Sequence, residues 1–223
     1  MEKGLIITID GPSGVGKSTV AKSVAKELAL TYLDTGAMYR AVALQVKRSP
    51  INIDNDNELL SLLNNTEIGI VKIKENVLII TLNNEDITDK IRSPEISRIS
   101  SDVATKRLVR KKLVELQRKI GLNGNILVEG RDMGSYVFPE AAFKFYLEAN
   151  LEERAIRRRK QLIENNINID LDNVIKEIEL RDKQDKERLE SPLHPAPNAV
   201  IIDTTNLTTE EVINRIIAEV KGK

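Results

Sequence analysis

The sequence predicts an α/β fold in which a central parallel sheet of about five strands is flanked by helices and joined by a small antiparallel insert. Two observations support this prediction. Short continuous apolar runs alternate with amphipathic helical segments, which is the order of a parallel sheet wrapped by helices. One stretch, Thr66–Thr88, instead alternates polar and apolar residues, as antiparallel strands with one solvated face do. The chain has 223 residues, which suits one domain with an insertion better than two domains.

The predicted sheet strands are short, apolar and rich in β-branched residues, which is typical of strands buried on both faces. In chain order they are Leu5–Ile9, a brief extended piece at "YLDTG", Gly124–Gly130, Phe143–Ala149 and Val200–Asp203. Helical spacing predicts helices over Lys17–Ala29, Gly36–Lys47, Pro94–Ile120, Leu151–Asn165 and Leu171–Leu189, and a capping-box spacing begins a last helix at Thr208.

The antiparallel stretch predicts an inserted subdomain over roughly residues 52–92. Its two β-rich runs are separated by Glu75-Asn76, which predicts a hairpin. A third short strand is expected near Asp86–Thr88. Antiparallel strands inside a βαβ chain therefore indicate a subdomain added to the parallel core.

Composition excludes several classes of function. The 34 basic residues balance the 34 acidic ones, and aromatic residues make up only 3%; both facts argue against nucleic-acid binding despite the basic segment Lys106–Arg118. The chain has no cysteine, which excludes disulfides and thiolate metal sites. The apolar run near the N-terminus is too short for a membrane span or a signal-peptide core, so we expect a cytoplasmic protein without a membrane partner.

The stretch "GPSGVGKST" fits the pattern G-x-x-x-x-G-K-[ST], with a predicted buried strand before it and a helix after it. Glycines let such a loop turn its N–H groups toward an anion, and the following helix adds its positive dipole end. Lys17 supplies a charge for the β- and γ-phosphates, and Ser18 offers a hydroxyl to Mg²⁺, partly through water. The residues expected to hold the phosphates of a nucleoside triphosphate are Gly11, Pro12, Ser13, Gly14, Val15, Gly16, Lys17, Ser18 and Thr19.

The loop leaves the acceptor of the phosphoryl group open, because hydrolysis and transfer to a protein, a sugar or a nucleotide all begin from it. A GTPase is disfavoured, since the sequence lacks the N-K-x-D and D-x-x-G motifs. Transfer between two phosphorylated molecules needs many cations near one point. Arg131 follows a predicted strand end, where ligands of open α/β sheets bind. Arg154, Arg157 and Arg158 share one helical face, although weak surface pairs with neighbouring acids would equally explain them.

Five motifs occur in an order and at spacings that resemble those of a known family. They are "IDGPSGVGKST", "LDTGAMYR", "IRSPEIS", "EGRDMG" followed by "VFP", and "RDKQDKER". From about Leu5 to Thr204 the chain resembles bacterial cytidylate kinase, the CMP/dCMP kinase of the nucleoside monophosphate kinase group. The phosphate loop is shared by many enzymes, whereas "LDTGAMYR" and "GRDMG" before "VFP" are far more specific. The resemblance implies a P-loop three-layer fold and transfer of the γ-phosphoryl group of ATP to CMP or dCMP, with Mg²⁺ as cofactor.

The resemblance also implies a role for each matching residue. Catalytic roles fall to Lys17, Arg131, Arg157 and Arg158, the last three closing on the transferring group together with Arg154. The positions that match the CMP site are Thr35, Arg40, Ser101, Arg110, Asp132, Arg181, Asp185 and Arg188. Thr35 stands where many members have serine and Glu129 where some have aspartate; both substitutions keep the functional group.

The resemblance further implies a monomer whose single domain, residues 1–223, has three parts. A core comprises residues 1–34 and 93–223, a monophosphate-binding region with the insert comprises about 35–92, and a short lid lies within the core at about 152–168. Two alternatives stay open. One is a related small P-loop kinase of the UMP/CMP or shikimate type, and the other is a nucleotide-binding module without turnover.

Overall fold

The computed structural model describes residues 4–72 and 78–222, except for the side chain of Lys72. The predicted turn at Glu75-Asn76 lies outside the described residues. The elements in chain order are β1 (Ile6–Asp10), α1 (Lys17–Glu27), β2 (Thr31–Asp34), α2 (Thr35–Arg48), α3 (Asp56–Asn64), β3 (Ile68–Lys72), β4 (Leu78–Leu82), β5 (Glu85–Asp86), α4 (Pro94–Ala104), α5 (Arg107–Gly121), β6 (Ile126–Gly130), a π-helical segment (Met133–Val137), β7 (Phe143–Glu148), α6 (Leu151–Glu164), α7 (Leu171–Glu187), β8 (Val200–Asp203) and α8 (Thr209–Lys221).

Five strands form a parallel sheet in the order β2-β6-β1-β7-β8, which confirms the predicted central sheet. The central strand is β1, and its carboxyl end lies beside those of β6 and β7. The register places Asp10 opposite Gly130 on one side and Tyr146 on the other, and Asp34 opposite Glu129. The loop after β1 and the loop after β6 therefore leave the sheet side by side, where ligands of such sheets bind.

The insert is a three-stranded antiparallel sheet in the order β3-β4-β5, which confirms the second part of the fold prediction. Ile70 lies opposite Ile80 in its register. Before this sheet the structure has a helix, α3, that the sequence pattern did not predict. Asn55 begins it, because its side chain accepts the backbone N–H groups of Asn57 and Glu58. Capping of this kind stabilises a short helix that apolar spacing alone does not reveal.

The predicted helix Pro94–Ile120 is two helices. The first, α4, begins with a cap from Ser93, whose side chain accepts the N–H of Ile96. The break follows Ala104, because Lys106 has extended backbone angles, φ −84° and ψ 123°. The Thr105 hydroxyl donates to the Asp102 carbonyl oxygen at 2.7 Å, so the end of α4 is hydrogen-bonded locally. The two helices can consequently face different parts of the site.

Both faces of the central sheet are covered. Ile7, Ile9 and Phe145 pack on the face that carries α1 and α8. Ile126 and Val128 pack on the other face with α2, α4, α5 and the insert. Coverage on both sides explains why these strands are continuous apolar runs. A third, smaller apolar cluster joins α6 to α7. Among the described residues, no helix has the length and apolar composition of a membrane span.

Candidate active site

The phosphate loop connects β1 to α1, and two of its positions require glycine. Gly11 has φ 150°, and a Cβ there would lie 2.2 Å from the carbonyl oxygen of Leu147. Gly14 has φ 78°, and a Cβ there would lie 2.8 Å from the carbonyl oxygen of Arg154. Both contacts are with backbone atoms, which cannot move aside as a flexible side chain can. The close packing of the loop on β7 and α6 therefore fixes its shape.

Lys17 is buried in the first turn of α1, inside the curve of the phosphate loop. Its ammonium donates to the carbonyl oxygens of Gly11 at 2.8 Å and of Pro12 at 2.7 Å. Burial lowers the pKa of Lys17 well below its usual value, and the nearby guanidinium of Arg131 lowers it further. An anion bound in the loop would stabilise the charged form of this side chain.

Ser18 follows on the exposed side of the loop, and its hydroxyl is hydrogen-bonded to Glu129 at the end of β6. The hydroxyl of Tyr32 also donates to Glu129. Burial raises the pKa of the Glu129 carboxyl, and the neighbouring Asp34 raises it further. This corner of the site thus places a serine hydroxyl on one carboxylate, Glu129, which has a second carboxylate, Asp34, near it at the end of the adjacent strand.

A buried ion-pair network lies beyond the end of β6. Asp132, in the loop after β6, pairs with Arg110 of α5 and with Arg188, which follows α7; Arg188 Nη2 lies 3.3 Å from Asp132 Oδ1. The three side chains are only 3–4% exposed. Arg110 Nη1 also donates to the hydroxyl of Tyr39 on α2 at 3.2 Å. Residues far apart in sequence therefore meet in one place, as their membership of the predicted CMP site requires.

Asp185 extends the ion-pair network toward the phosphate loop. Its Oδ2 accepts from Arg131 Nε at 2.8 Å, and its Oδ1 lies 3.7 Å from Arg188 Nη1. Burial alone would raise the pKa of Asp185, but the guanidinium groups of Arg131 and Arg181 hold that pKa below its usual value. The network, defined by Arg110, Arg131, Asp132, Asp185 and Arg188, thus contains a carboxylate beside every guanidinium.

A second group, the cation cluster, consists of Lys17, Arg40, Arg131, Arg158 and Arg181. Burial and then Arg131 lower the pKa of Arg181 to about 10, and Arg40 and Arg158 contribute to the same effect. Arg181 in turn lowers the pKa of Lys17. Among the described residues, the buried Nε of Arg181 has no hydrogen-bond partner. Mutually repelling cations of this kind favour a ligand that carries several negative charges.

The sequence model of one family, cytidylate kinase, matches residues 7–222. The chain belongs to the cytidylate kinase family. A cytidylate kinase of Clostridioides difficile (strain 630) is 44% identical over 216 residues, which are 97% of this chain and 98% of the relative. One from Desulforamulus reducens (strain ATCC BAA-1160 / DSM 100696 / MI-1) is 47% identical over 219 residues, 97% of each chain. An uncharacterized protein from Eubacterium ventriosum ATCC 27560 shares the fold, with a TM-score of 0.54 and 12% identity over 99% of this chain and 100% of that chain.

Three further residues of the predicted CMP site are not members of the ion-pair network. The hydroxyl of Thr35 donates to the Glu129 carbonyl oxygen at 2.7 Å. Arg40 Nη2 donates to Asp34 at 2.6 Å. Ser101, on α4, donates to the carbonyl oxygen of Ser97 one turn earlier at 3.2 Å. Thr35 and Arg40 are therefore hydrogen-bonded to the ends of β6 and β2. Among the described residues, the hydrogen bond of the Ser101 hydroxyl stays within its own helix.

The arginines of α6, predicted to act as one face, have separate partners. Arg154 is buried and donates to Asp182 of α7 at 2.5 Å and to the Ser13 carbonyl oxygen at 3.1 Å. Asp182 accepts the N–H of Ser13 at 3.4 Å. Arg154 therefore holds the phosphate loop against α6 and α7, and the carboxylate at position 182 neutralises its guanidinium in the protein interior. Its part in closure on the phosphoryl group stays a prediction.

The consecutive residues Arg157 and Arg158 also have different hydrogen-bond partners. Arg157 donates to Glu153 at 2.8 Å and to the hydroxyl and carbonyl oxygens of Thr204 at 3.0 and 2.7 Å. Arg158 donates to Gln161 at 2.7 Å; burial lowers the pKa of Arg158, Glu177 opposes this fall, and Arg40 adds to it. Arg158 thus lies in the cation cluster, whereas the hydrogen bonds of Arg157 to Thr204 hold it at the loop after β8.

Three residues with evident structural roles at the site were not predicted. Tyr39 belongs to "LDTGAMYR" and Asp182 to "RDKQDKER", so the motifs contained them without indicating their partners. Asp10 ends β1 directly before the phosphate loop, and both of its carboxylate oxygens accept backbone N–H groups from the loop after β6. That contact forms because β1 and β6 are neighbouring strands in the sheet, an order that the sequence pattern does not specify.

Proposed function

We propose that this member of the cytidylate kinase family transfers the γ-phosphoryl group of ATP to CMP or dCMP, giving ADP and CDP or dCDP. The observation that carries the proposal is that the cation cluster joins the phosphate loop to the ion-pair network: Lys17 belongs to the loop, Arg131 belongs to the network, and both influence Arg181 or are influenced by it. A phosphoryl group that moves from one nucleotide to another passes between two binding sites. The cluster supplies the positive charge that such a transfer requires where the two candidate sites meet.

The donor half of the site is the phosphate loop, Gly11–Thr19. Its backbone N–H groups and the start of α1 would bind the ATP phosphates, and Lys17 would neutralise the β- and γ-phosphates. The Ser18 hydroxyl, backed by the Glu129 carboxylate, fits Mg²⁺, which prefers oxygen ligands and binds largely through phosphates and water. The described residues contain no cluster of three or more acidic, His or Cys side chains placed to hold a metal, and such an ion does not need one. When bound, Mg²⁺ would neutralise charge on the phosphates.

The acceptor half is the ion-pair network. Cytosine offers an amino group as a donor and two acceptor atoms, so a carboxylate and guanidinium groups complement its edge. We assign this edge to Arg110, Asp132 and Arg188, with Ser101 within the same recognition surface. Asp185 and Arg181 would bind the ribose hydroxyls, and Thr35 and Arg40 would bind the CMP phosphate.

Transfer requires little covalent chemistry from the protein. An oxygen of the CMP phosphate is already anionic at neutral pH, so it attacks the γ-phosphorus without a strong general base. The bond from that phosphorus to the bridging oxygen of ADP breaks, and the electron pair leaves with ADP. Lys17, Arg131 and Arg158 would stabilise the charge on the transferring group, and the lid would exclude water.

The test is release of ADP, coupled to an indicator reaction, with equal concentrations of CMP, dCMP, UMP, AMP, GMP and shikimate. We expect turnover with CMP and dCMP to exceed ATP hydrolysis without an acceptor by at least about 100-fold, because water is excluded from the closed site. Preference for UMP or shikimate would favour a related small kinase. ATP binding without acceptor-dependent ADP release would favour a non-catalytic module, and fast hydrolysis that CMP does not change would overturn the kinase proposal.

The division into core, monophosphate-binding region and lid is part of this proposal, as are the monomeric state and the cytoplasmic location. The apolar cluster of α6 and α7 joins the proposed lid to α7, so closure of the lid would carry α7 with it or loosen this contact. Sedimentation of the chain with and without both nucleotides would test the monomer.

A further inference from the structure

Asp10 is the last residue of β1, and the roles proposed above do not use it. It is 3% exposed. Its Oδ1 accepts the N–H of Met133 at 2.9 Å, and its Oδ2 accepts the N–H of Gly134 at 2.8 Å. Although Asp10 directly precedes the phosphate loop, its carboxylate accepts these two hydrogen bonds from the segment that directly follows Asp132.

The two N–H groups belong to the first turn of the π-helical segment Met133–Val137. Asp132 is the N-cap residue of this segment, and an aspartate there ordinarily accepts such N–H groups with its own side chain. Among the described residues, the Asp132 side chain makes no capping hydrogen bond. It pairs with Arg110 and Arg188 instead. The carboxylate of Asp10 therefore caps the segment, and the carboxylate of Asp132 pairs with the two arginines.

We propose that Asp10 is a positioning residue for acceptor recognition: it caps the segment after Asp132 and so leaves the Asp132 carboxylate for Arg110, Arg188 and the cytosine edge. The inference rests on the proposed function, since it assumes that Asp132 reads the acceptor base. It extends that function by linking β1 of the donor half to the specificity of the acceptor half through one side chain.

The charge of Asp10 is part of this role. An ionised carboxylate accepts two N–H groups at once, whereas a protonated acid or an amide keeps one acceptor and turns a donor toward the other N–H. Burial raises the pKa of Asp10 to about 6, the N–H groups of Gly134 and Met133 oppose the rise, Asp132 adds to it and Lys17 reduces it. Tyr146 of β7, opposite Asp10 in the register, is a further titratable group that interacts with it. The Met133 and Gly134 contacts should therefore weaken as the pH falls through about 6.

The direct test is Asp10→Asn in the full chain, an isosteric change that replaces one acceptor by a donor. At pH 7.5 we expect the KM for CMP to rise about tenfold, while the KM for ATP stays within twofold of wild type. The matched control is Glu211→Gln, which alters a carboxylate that caps α8 and accepts the Thr208 N–H at 2.8 Å. The control should leave both KM values unchanged.

The pH profile separates positioning from general loss of structure. The ratio of the CMP KM of Asp10→Asn to that of wild type should fall from about ten at pH 7.5 toward one at pH 5, because protonated Asp10 resembles asparagine. The CMP phosphate also titrates near pH 6, but it does so equally with both proteins and cancels in the ratio. A ratio that is constant with pH, or equal rises in the KM for CMP and ATP, would overturn the proposal.

A second variant reaches the same contact from the other side and serves if Asp10→Asn fails to fold. Gly134→Ala places a Cβ 2.8 Å from the Thr8 hydroxyl oxygen and 3.3 Å from the Cβ of Ala196, so either the Gly134 peptide or the Thr8 side chain must shift. We expect a selective rise in the KM for CMP of similar size. Wild-type transfer to CMP is measured first: its absence would refute the proposed function, whereas normal transfer with unchanged KM values in both variants would refute only the role of Asp10.

Discussion

The ion-pair network and the cation cluster differ in how their positive charge is compensated. In the ion-pair network, Arg110 and Arg188 lie beside Asp132, and Arg131 lies beside Asp185. In the cation cluster, the nearest charged neighbours of a cation include other cations, and the pKa of Arg181 falls to about 10 as a result of burial and this repulsion. The network is organised by the protein's own carboxylates. In the cluster, Arg40 pairs with Asp34 and Arg131 with Asp185. Among the described residues Lys17, Arg158 and Arg181 form no ion pair, so we expect substrate phosphates to compensate their charge.

The network and the cluster therefore control different properties of the reaction. A pocket held by internal ion pairs presents fixed donors and acceptors, so it can discriminate between acceptors by leaving polar groups unpaired when the wrong base enters. A cluster of cations has little power to discriminate, because any phosphate chain satisfies it. Changes at Lys17 or Arg158, which belong to the cluster alone, should therefore reduce turnover with every acceptor. Changes at Asp132, which belongs to the network alone, should alter the use of CMP selectively.

The largest expected effect is that of Lys17→Ala in the cation cluster. Removing the buried ammonium should lower kcat by about 1,000-fold or more with CMP and with dCMP alike, since the charge on the transferring group loses its closest cation. Steady-state ADP release measures the effect. Lys221→Ala is the matched control, because Lys221 lies on α8 in a surface pair with Glu27 and should leave kcat unchanged. A kcat within tenfold of wild type would show that the cluster does not carry the chemistry.

The second effect is that of Asp132→Asn in the ion-pair network. The change keeps the shape but leaves Arg110 and Arg188 buried beside a neutral group, so we expect the KM for CMP to rise by about 100-fold and the stability to fall by about 3 kcal/mol. The KM for ATP should stay within threefold. Initial rates over both substrates, together with urea unfolding, measure these quantities. Equal rises in the two KM values would remove the distinction between the halves.

How far the sequence predicts this site depends on whether a feature is local. The phosphate loop is contiguous, and glycines and a lysine at fixed spacing imply its geometry directly. The position of Arg131 at a strand end is nearly as local, because strands reveal their ends by composition. The parallel sheet and the antiparallel insert follow from the alternation of apolar residues, and the structure confirms both.

The sequence did not predict which side chains pair with each other, because the pairing depends on which elements pack together. Helical spacing placed Arg154 and Arg158 on one face, but Asp182 of α7 pairs with the first and draws it to the phosphate loop. The capping of the π-helical segment by Asp10 requires β1 and β6 to be neighbours in the sheet, which strand composition does not specify. The split of the helix at Thr105 depends on backbone angles that apolar spacing does not report.

Arg157 and Arg158 are adjacent in the sequence but lie in different surroundings, so we expect substitutions at the two positions to have small and unequal effects on kcat. Arg158→Gln removes a member of the cation cluster and should lower kcat about tenfold with the KM for CMP nearly unchanged. Arg157→Gln breaks bonds to Glu153 and Thr204 and should lower kcat by less than about threefold. Arg159→Gln is the control on the same helix, since Arg159 donates to the Ile169 carbonyl oxygen away from the cluster. If Arg157→Gln proved the more damaging, the lid would have to rotate on closure so that Arg157 replaced Arg158 at the transferring group, and the cluster would then describe only the open state.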